Sequence, residues 1–386
     1  MATPTDPTAR ATRGEALLAG PRGRRMLLEL AIALDARGEG AARDKSLRQA
    51  VHHAAWHLDP ALSPVPLTTT IGFSGGGGRT AVPRVSLPRV AKLLRRVQIG
   101  ELGEELLRTA LGDAARYAVH WDAPFAEEAL AATPAATAGL RRFADAVASS
   151  GLIDQWYAPL DDRAQWAVQW QDESFPEPLD ASRSALTAAM RLLAAEEARE
   201  RPGRPADPAE APLSKWASKP PRVVPASTRA AADGGLADGA PLKLYAYEDG
   251  FKVVEARVQR LETPEGLSVY EIDSAEAWAE LCRTYPLDVT ESVRRNWAMT
   301  TGRDGAWVIP DWAAVAERFD GVHLQIGAYL SAAGAVIDLD GERASMIAGW
   351  DPDETYWLSE RVRYVGDPVQ WELDLAVWAP AWRVAK

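Results

Sequence analysis

Residues 306–324 read AWVIPDWAAVAERFDGVHL, and their order decides the fold class. A strand-sized apolar run, Ala306–Ile309, ends at Pro310. Asp311 then stands where a helix through Phe319 takes its N-cap, since its carboxylate can accept from the first free backbone N–H groups. Gly321–Ile326 follows as a second strand, on which His323 faces away from Val322 and Leu324. The same texture extends over residues 242–386. Leu242–Tyr247, Phe251–Val258, Ser268–Ile272, Ala335–Leu339, Ala344–Ile347, Thr355–Leu358 and Val369–Trp378 have strand length, and Ser274–Tyr285 is the other clear helix. Strands interrupted by few helices predict an α+β domain.

Upstream, residues 201–241 hold eight prolines and four glycines with few large apolar groups, the composition of a linker. Trp216 is an odd residue for a free linker and is expected to dock on a neighbouring domain. Before it the periodicity is helical. Met26, Leu27, Leu30, Ile32 and Leu34 form one broad apolar face, and Ser46–Leu58 stops at Asp59-Pro60 because proline holds the preceding residue out of helical geometry. Further helices are predicted over Leu87–Gln98, Glu101–Val119, Pro124–Ala132, Thr137–Ser149 and Ala181–Arg199, while Gln165–Trp170 alternates as a strand. The reading is α+β in four parts: a loose tail over 1–15, a mainly helical domain over 16–200, a linker over 201–241 and a Trp-rich mixed domain over 242–386.

Hydrophobic residues at 47% and charged residues at 25% are ordinary globular values, which excludes disorder of the whole chain. No apolar run approaches the roughly 20 residues of a membrane span, and the first 25 residues lack the apolar core of a secretory signal. A cytoplasmic protein without membrane association is expected. The single cysteine, Cys282, fits a reducing compartment and reads as a small buried apolar residue. The net charge of −11 is uneven: residues 1–100 carry 15 basic and 7 acidic side chains, against 28 and 47 in the remainder. Residues 79–100 hold six basic and no acidic groups, and helical spacing puts Arg89, Lys92, Arg95 and Arg96 opposite Val90, Leu93, Leu94 and Val97. That face is either solvated or a contact for an acidic protein, with nucleic acid the lesser alternative.

Nine of the fifteen tryptophans are Trp278, Trp297, Trp307, Trp312, Trp350, Trp357, Trp371, Trp378 and Trp382, all in the last 117 residues. Core packing and stacking on a planar ligand both suit such rings. Residues 350–357 set Asp351, Asp353 and Glu354 between two tryptophans. As a plain turn, Asp351-Pro352-Asp353 would bond nearby backbone N–H groups; as chemistry, carboxylates in a poorly solvated aromatic site serve as acid, base or stabiliser of an electron-poor carbon. His323 is either a satisfied strand histidine or a base. His53 and His57 share a helix face, but two ligands do not make a site, and neither a metal nor a resident cofactor is assigned. Gly75-Gly76-Gly77-Gly78 lacks the ending of a P-loop, and Ser74 lacks the strand and helix of a nucleophile elbow, so both belong to a flexible loop.

WVIPDWAAVAERFDGVHL, IGAYLSAAG and AGWDPDETYWL resemble a family of uncharacterised proteins of high-GC, actinobacterial-type bacteria, a resemblance that implies no activity. The order of a Val269-Tyr270 strand, a helix, an Asp-Gly-Val strand and a late Trp-Asp strand with Glu354 is also similar to ADP-ribosyltransferase-type folds. That resemblance implies NAD as the nucleotide, Glu354 as the oxocarbenium-stabilising acid, Trp350 or Trp357 as a wall and Tyr270 in the nicotinamide pocket. The chain departs from the pattern at Glu271, where such folds carry Arg or His on the first strand, and it has no Ser-Thr-Ser-like second strand. Two functional expectations follow. In one, the carboxy-terminal domain binds a planar or nucleotide-like small molecule through Trp350, Trp357, Tyr270, Asp351 and Asp353, with Glu354 and His323 as catalytic groups. In the other, Arg89, Lys92, Arg95 and Arg96 serve a non-enzymatic module that contacts an acidic protein or nucleic acid.

Overall fold

Helix α2 (Pro21–Arg37) buries Met26, Leu27, Leu28, Leu30, Ala31, Ile32 and Leu34, apolar on nearly every side, and so takes the centre of a helical layer. In the computed structural model, which describes residues 7–37, 46–58, 82–120, 122–161, 165–170, 183–212, 215–231, 240–250, 253–374 and 381–385, six more helices surround it. They are α1 (Pro7–Ala19), α3 (Ser46–Leu58), α4 (Leu87–Arg96), α5 (Glu104–Arg116), α6 (Ala126–Ala131) and α7 (Pro134–Ser149). Ser74, the four-glycine run and Trp378 lie outside the described residues. The expected tail over 1–15 needs correction, because helix begins at Pro7. Arg13 pairs with Asp154 and lies 4.5 Å over the Tyr157 ring, and Glu15 pairs with Arg141. Such anchors more than a hundred residues away leave no local periodicity to read.

An eight-stranded sheet lies beyond this layer. Its strands are β1 (Gln165–Trp170), β2 (Ala226–Arg229), β3 (Glu255–Glu262), β4 (Val269–Ile272), β7 (Gly321–Leu324), β10 (Thr355–Trp357), β11 (Arg363–Asp374) and β12 (Ala381–Val384), in the spatial order β12-β11-β3-β1-β2-β10-β7-β4. All neighbours are antiparallel except β4 and β7. A four-stranded sheet, β5 (Pro286–Asp288), β6 (Ala306–Pro310), β9 (Arg343–Ser345) and β8 (Ile337–Asp338), stands apart from it. Helices α8 (Arg183–Glu200), α9 (Ala275–Thr284), α10 (Thr290–Thr301), α11 (Trp312–Val315) and α12 (Ile326–Ala332) complete an α+β architecture with a helical amino-terminal and a strand-rich carboxy-terminal region. Asp311 caps α11 by accepting from Ala313 and Ala314, in the place its sequence context predicts.

The described residues of segment 201–241, expected as a linker, are part of this frame. Within it β2 pairs on one side with β1, Trp166 opposite Thr228, and on the other with β10, Ser227 opposite Thr355. Trp216 stacks on His120 with ring centroids 6.1 Å apart, and its carbonyl accepts from the Trp297 indole at 2.7 Å. One hydrophobic cluster runs from Leu17 in α1 to Leu358 after β10. Trp278, Trp312 and Trp350 stand 6.0–6.1 Å apart at its centre, each with no exposed surface, and Tyr356 meets Trp350 edge-on at 4.8 Å. Edge-to-face contact between quadrupoles favours such a cluster beyond its buried area. Leu242–Tyr247, expected as a strand, instead makes a 3-10 turn over Leu242–Leu244. Among the described residues no helix is long and apolar enough to cross a membrane.

Candidate functional site

The turn after Gly349 sets the polar interior. Gly349 has φ +75°, and a Cβ there would press on the Trp216 ring and Ala217, so a residue without a side chain is needed. Asp353 also takes a positive φ, +66°, which Asp tolerates better than most residues. With these two bends the chain turns Asp351, Asp353 and Glu354 inward, and each meets a cation contributed from elsewhere.

Asp351 and Glu354 share Lys243, whose Nζ lies 2.8 Å and 2.6 Å from their oxygens. Burial works against every charge here. The two carboxylates nevertheless hold the lysine protonated far into the alkaline range, while Lys243 and the field of Lys219 keep Glu354 below its usual range. Asp351, enclosed beside Glu354, is pushed upward. Asp351 also accepts from the Glu248 backbone N–H at 2.8 Å, and the Glu248 carboxylate meets His120 at 2.9 Å and the Tyr329 hydroxyl at 3.1 Å. Arg22, paired with Glu128, closes this chain of contacts inside the helical layer.

Asp353 faces the other way. It accepts from His323 Nε2 at 3.3 Å, from Thr228 Oγ1 at 3.1 Å, and from both the backbone N–H and Nε of Arg229. His323 Nδ1 meets Glu271 at 2.8 Å, and Glu271 accepts in addition from the Leu160 N–H and from Gln325. Burial alone would lower the His323 pKa, but hydrogen bonds to Asp353 and Glu271 raise it to about 9. His323 is therefore an imidazolium at neutral pH, with both ring N–H groups donating. Its stabilising contribution is fully present below the ordinary histidine value near 6.5 and is lost as pH rises through about 9. We expect about 3 kcal/mol less stability at pH 9.5 than at pH 6.5 from this group. Denaturant midpoints across that range should fall more steeply for the native chain than for His323→Gln, and equal slopes would refute the assignment.

Arg229 also forms part of the wall of a small, half-open cleft. Helix α5 contributes Glu104, Leu107 and Arg108, the turn after α7 contributes Trp156, and α12 contributes Ile326. Gly112 lets α5 close on the carbonyl of Tyr245, a contact that a Cβ would block. Arg108 lies 4.6 Å over the Tyr245 ring. Arg229 donates Nη1 to the Gln155 carbonyl at 2.9 Å, whereas its Nη2 is enclosed without a hydrogen-bond partner.

Of the residues singled out in the sequence, the structure gathers His323 and Asp353 in one network and Asp351 and Glu354 in the other. Trp350 and Trp357 have no exposed surface; Trp357 donates its indole N–H to Ser227 at 2.8 Å. Neither offers a face to a ligand in this arrangement, and Glu354 is only 1% exposed. Tyr270 stands apart, its hydroxyl donating to the Ala277 carbonyl at 2.7 Å and its ring edge-on to Phe319. Arg89, Lys92, Arg95 and Arg96 are exposed along α4, opposite buried Val90, Leu93 and Leu94, and make no ion pair among the described residues. Arg229, Lys243, Arg108 and Glu271 were not selected as site residues from sequence. Among the described residues no group of three His, Cys, Asp or Glu side chains is placed to hold a metal ion. No protein-family model matches the chain, and neither a curated protein nor a solved structure matches it.

Proposed function

We propose that this protein binds a small, flat, anionic molecule in the cleft between α5 and the end of β2. The observation that carries this reading is a cleft lined mainly by apolar side chains whose wall also holds two arginines, Arg108 and Arg229. Cations beside an apolar wall favour an anion there, because charge-assisted hydrogen bonds are stronger than neutral ones. A flat body lies against Trp156 and the aliphatic side chains, and the anionic end meets Arg229 and Arg108. The ligand class is the one expected from the sequence, but its seat moves from the Trp350–Trp357 turn to the opposite side of Arg229. Transfer chemistry at Glu354 is not part of this proposal, since Glu354 is enclosed and bound to Lys243.

A thermal-shift panel of AMP, NAD, ADP-ribose and planar carboxylates tests the proposal on the full chain. Saturation at a hundred times Kd stabilises a protein by about 2.7 kcal/mol, enough to raise its melting temperature visibly. Arg108→Ala, at a half-buried position outside the inner networks, should weaken the responding ligand by roughly tenfold or more, the worth of a charge-assisted hydrogen bond. A panel that leaves melting unchanged, or a hit indifferent to Arg108→Ala, would sink this reading.

A further inference from the structure

Helix α4 exposes Arg89, Lys92, Arg95 and Arg96 and contains no acidic residue. Like charges three and four residues apart on a helix repel one another. No ion pair relieves them among the described residues, and Arg142 of the adjoining α7 adds a fifth cation, its Nη1 donating to the Arg95 carbonyl at 2.6 Å. Nearby in sequence, residues 38–45 set Glu39 and Asp44 against Arg43 and Lys45, and residues 59–81 set Asp59 against Arg79, so neither segment cancels the excess. The acidic run 171–182 joins β1 to α8, whereas α4 packs on α3 and α7. This face calls for an acidic partner. Nucleic acid suits it poorly, because the chain as a whole carries −11 and α4 has no aromatic side chain on which a base could stack.

A complementary face lies on the chain itself. Helix α9 has the same ten-residue length as α4, about 15 Å. Its Glu276 and Glu280 are exposed one turn apart, and Asp273 is exposed just ahead of its cap at Ser274. Arg283 of α9 donates to the Leu339 carbonyl at 3.1 Å, which brings the exposed Asp338, Asp340 and Glu342 to the same side. These six carboxylates face only Arg283, Arg343 and Arg303, the last of which donates to the Glu342 carbonyl. Within one molecule the α4 and α9 faces make no ion pair with each other. We propose that α4 of one molecule docks on α9 of a second copy of this chain, with Arg89, Lys92 and Arg96 opposite Asp273, Glu276 and Glu280. Because the two faces differ, the contact is heterologous and can repeat from copy to copy.

Sedimentation velocity of the full chain tests this. Association should grow with protein concentration and weaken about tenfold or more between about 0.01 M and about 0.15 M salt, as the screening length falls from about 30 Å to about 8 Å. Arg89→Glu with Lys92→Glu should leave only monomer at low salt, and so should Glu276→Lys with Glu280→Lys. An equimolar mixture of these two variants should associate again, since each offers the face that the other lacks. A native chain that stays monomeric at low salt, or association indifferent to either reversal, overturns the proposal. So does a mixture that stays monomeric although both variants melt like the native chain by circular dichroism. Should a reversal unfold the chain, Glu276→Gln with Glu280→Gln replaces it, and native-strength association of that variant is equally fatal. Capture of a labelled single-stranded RNA by the native chain, lost in Arg89→Glu with Lys92→Glu and without self-association, would make α4 a nucleic-acid face instead.

Discussion

Lys243→Ala should destabilise the protein by about 3–5 kcal/mol, the usual cost of removing one partner from a buried ion pair. The magnitude follows from what remains. Asp351 and Glu354 are 6% and 1% exposed, and no other cation makes an ion pair with them among the described residues. Two charges would then be left in the interior, so they would protonate at higher pH than in the native chain. Acidification should therefore shrink the deficit, and Asp351→Asn with Glu354→Gln in the Lys243→Met background should recover much of it. Urea midpoints at pH 7.5 and 5 provide the measurement. A Lys243→Ala chain within about 1 kcal/mol of the parent would mean that water reaches these carboxylates.

The second large effect concerns the tryptophans. Trp350→Ala should cost about 3–5 kcal/mol through lost transfer energy and the cavity left among Trp278, Trp312 and Tyr356. Trp350→Phe should cost less than half of that, because most ring contact survives and the indole Nε1 has no hydrogen-bond partner to lose. Ligand affinity in the cleft should be unchanged in the phenylalanine variant. A Trp350→Phe chain of native stability that no longer binds the cleft ligand would instead place this ring in the site.

Much of the fold can be read locally. The α4 amphipathy, the alternation of β1, the cap at Asp311 and the strand of His323 depend on neighbours in sequence, and they stand where their spacing puts them. Besides α1, two helices do not announce themselves. The sequence of α12, IGAYLSA, is apolar on all sides and follows directly on β7, so it resembles a continued strand. In α10 polar and buried positions mix: Glu291, Arg294 and Asn296 are enclosed, with Glu197 of α8 and Arg204, Pro205 and Lys215 among their partners. Strand β2, Ala-Ser-Thr-Arg, is too short and too polar to stand out, and only its two neighbours make it a strand.

The candidate site divides along the same line. Three carboxylates between two tryptophans are conspicuous in the sequence, and all three are enclosed as an aromatic setting suggests. Their cations are not conspicuous, because Lys243 and Arg229 lie 111 and 124 residues away from Glu354 and Asp353. Without those partners a buried, charge-matched turn and an exposed acidic one look alike. Glu271 is a further case: on its strand it is one acidic residue among many, until β7 brings His323 alongside it.

Strand β2 also fixes the order in which a nascent chain can be completed. The helices α1 to α7 close largely on one another, so they can assemble while later residues are still being made. The middle of the sheet cannot. After synthesis has passed Arg229, that strand has only a short pairing with β1 until Thr355–Trp357 emerge to take its free side. A ribosome stalled before β10 would hold out an unpaired strand edge beside unburied tryptophan, a surface that binds chaperones or aggregates. Premature stop codons late in the message should thus yield insoluble product, and not a shortened protein with its cleft intact.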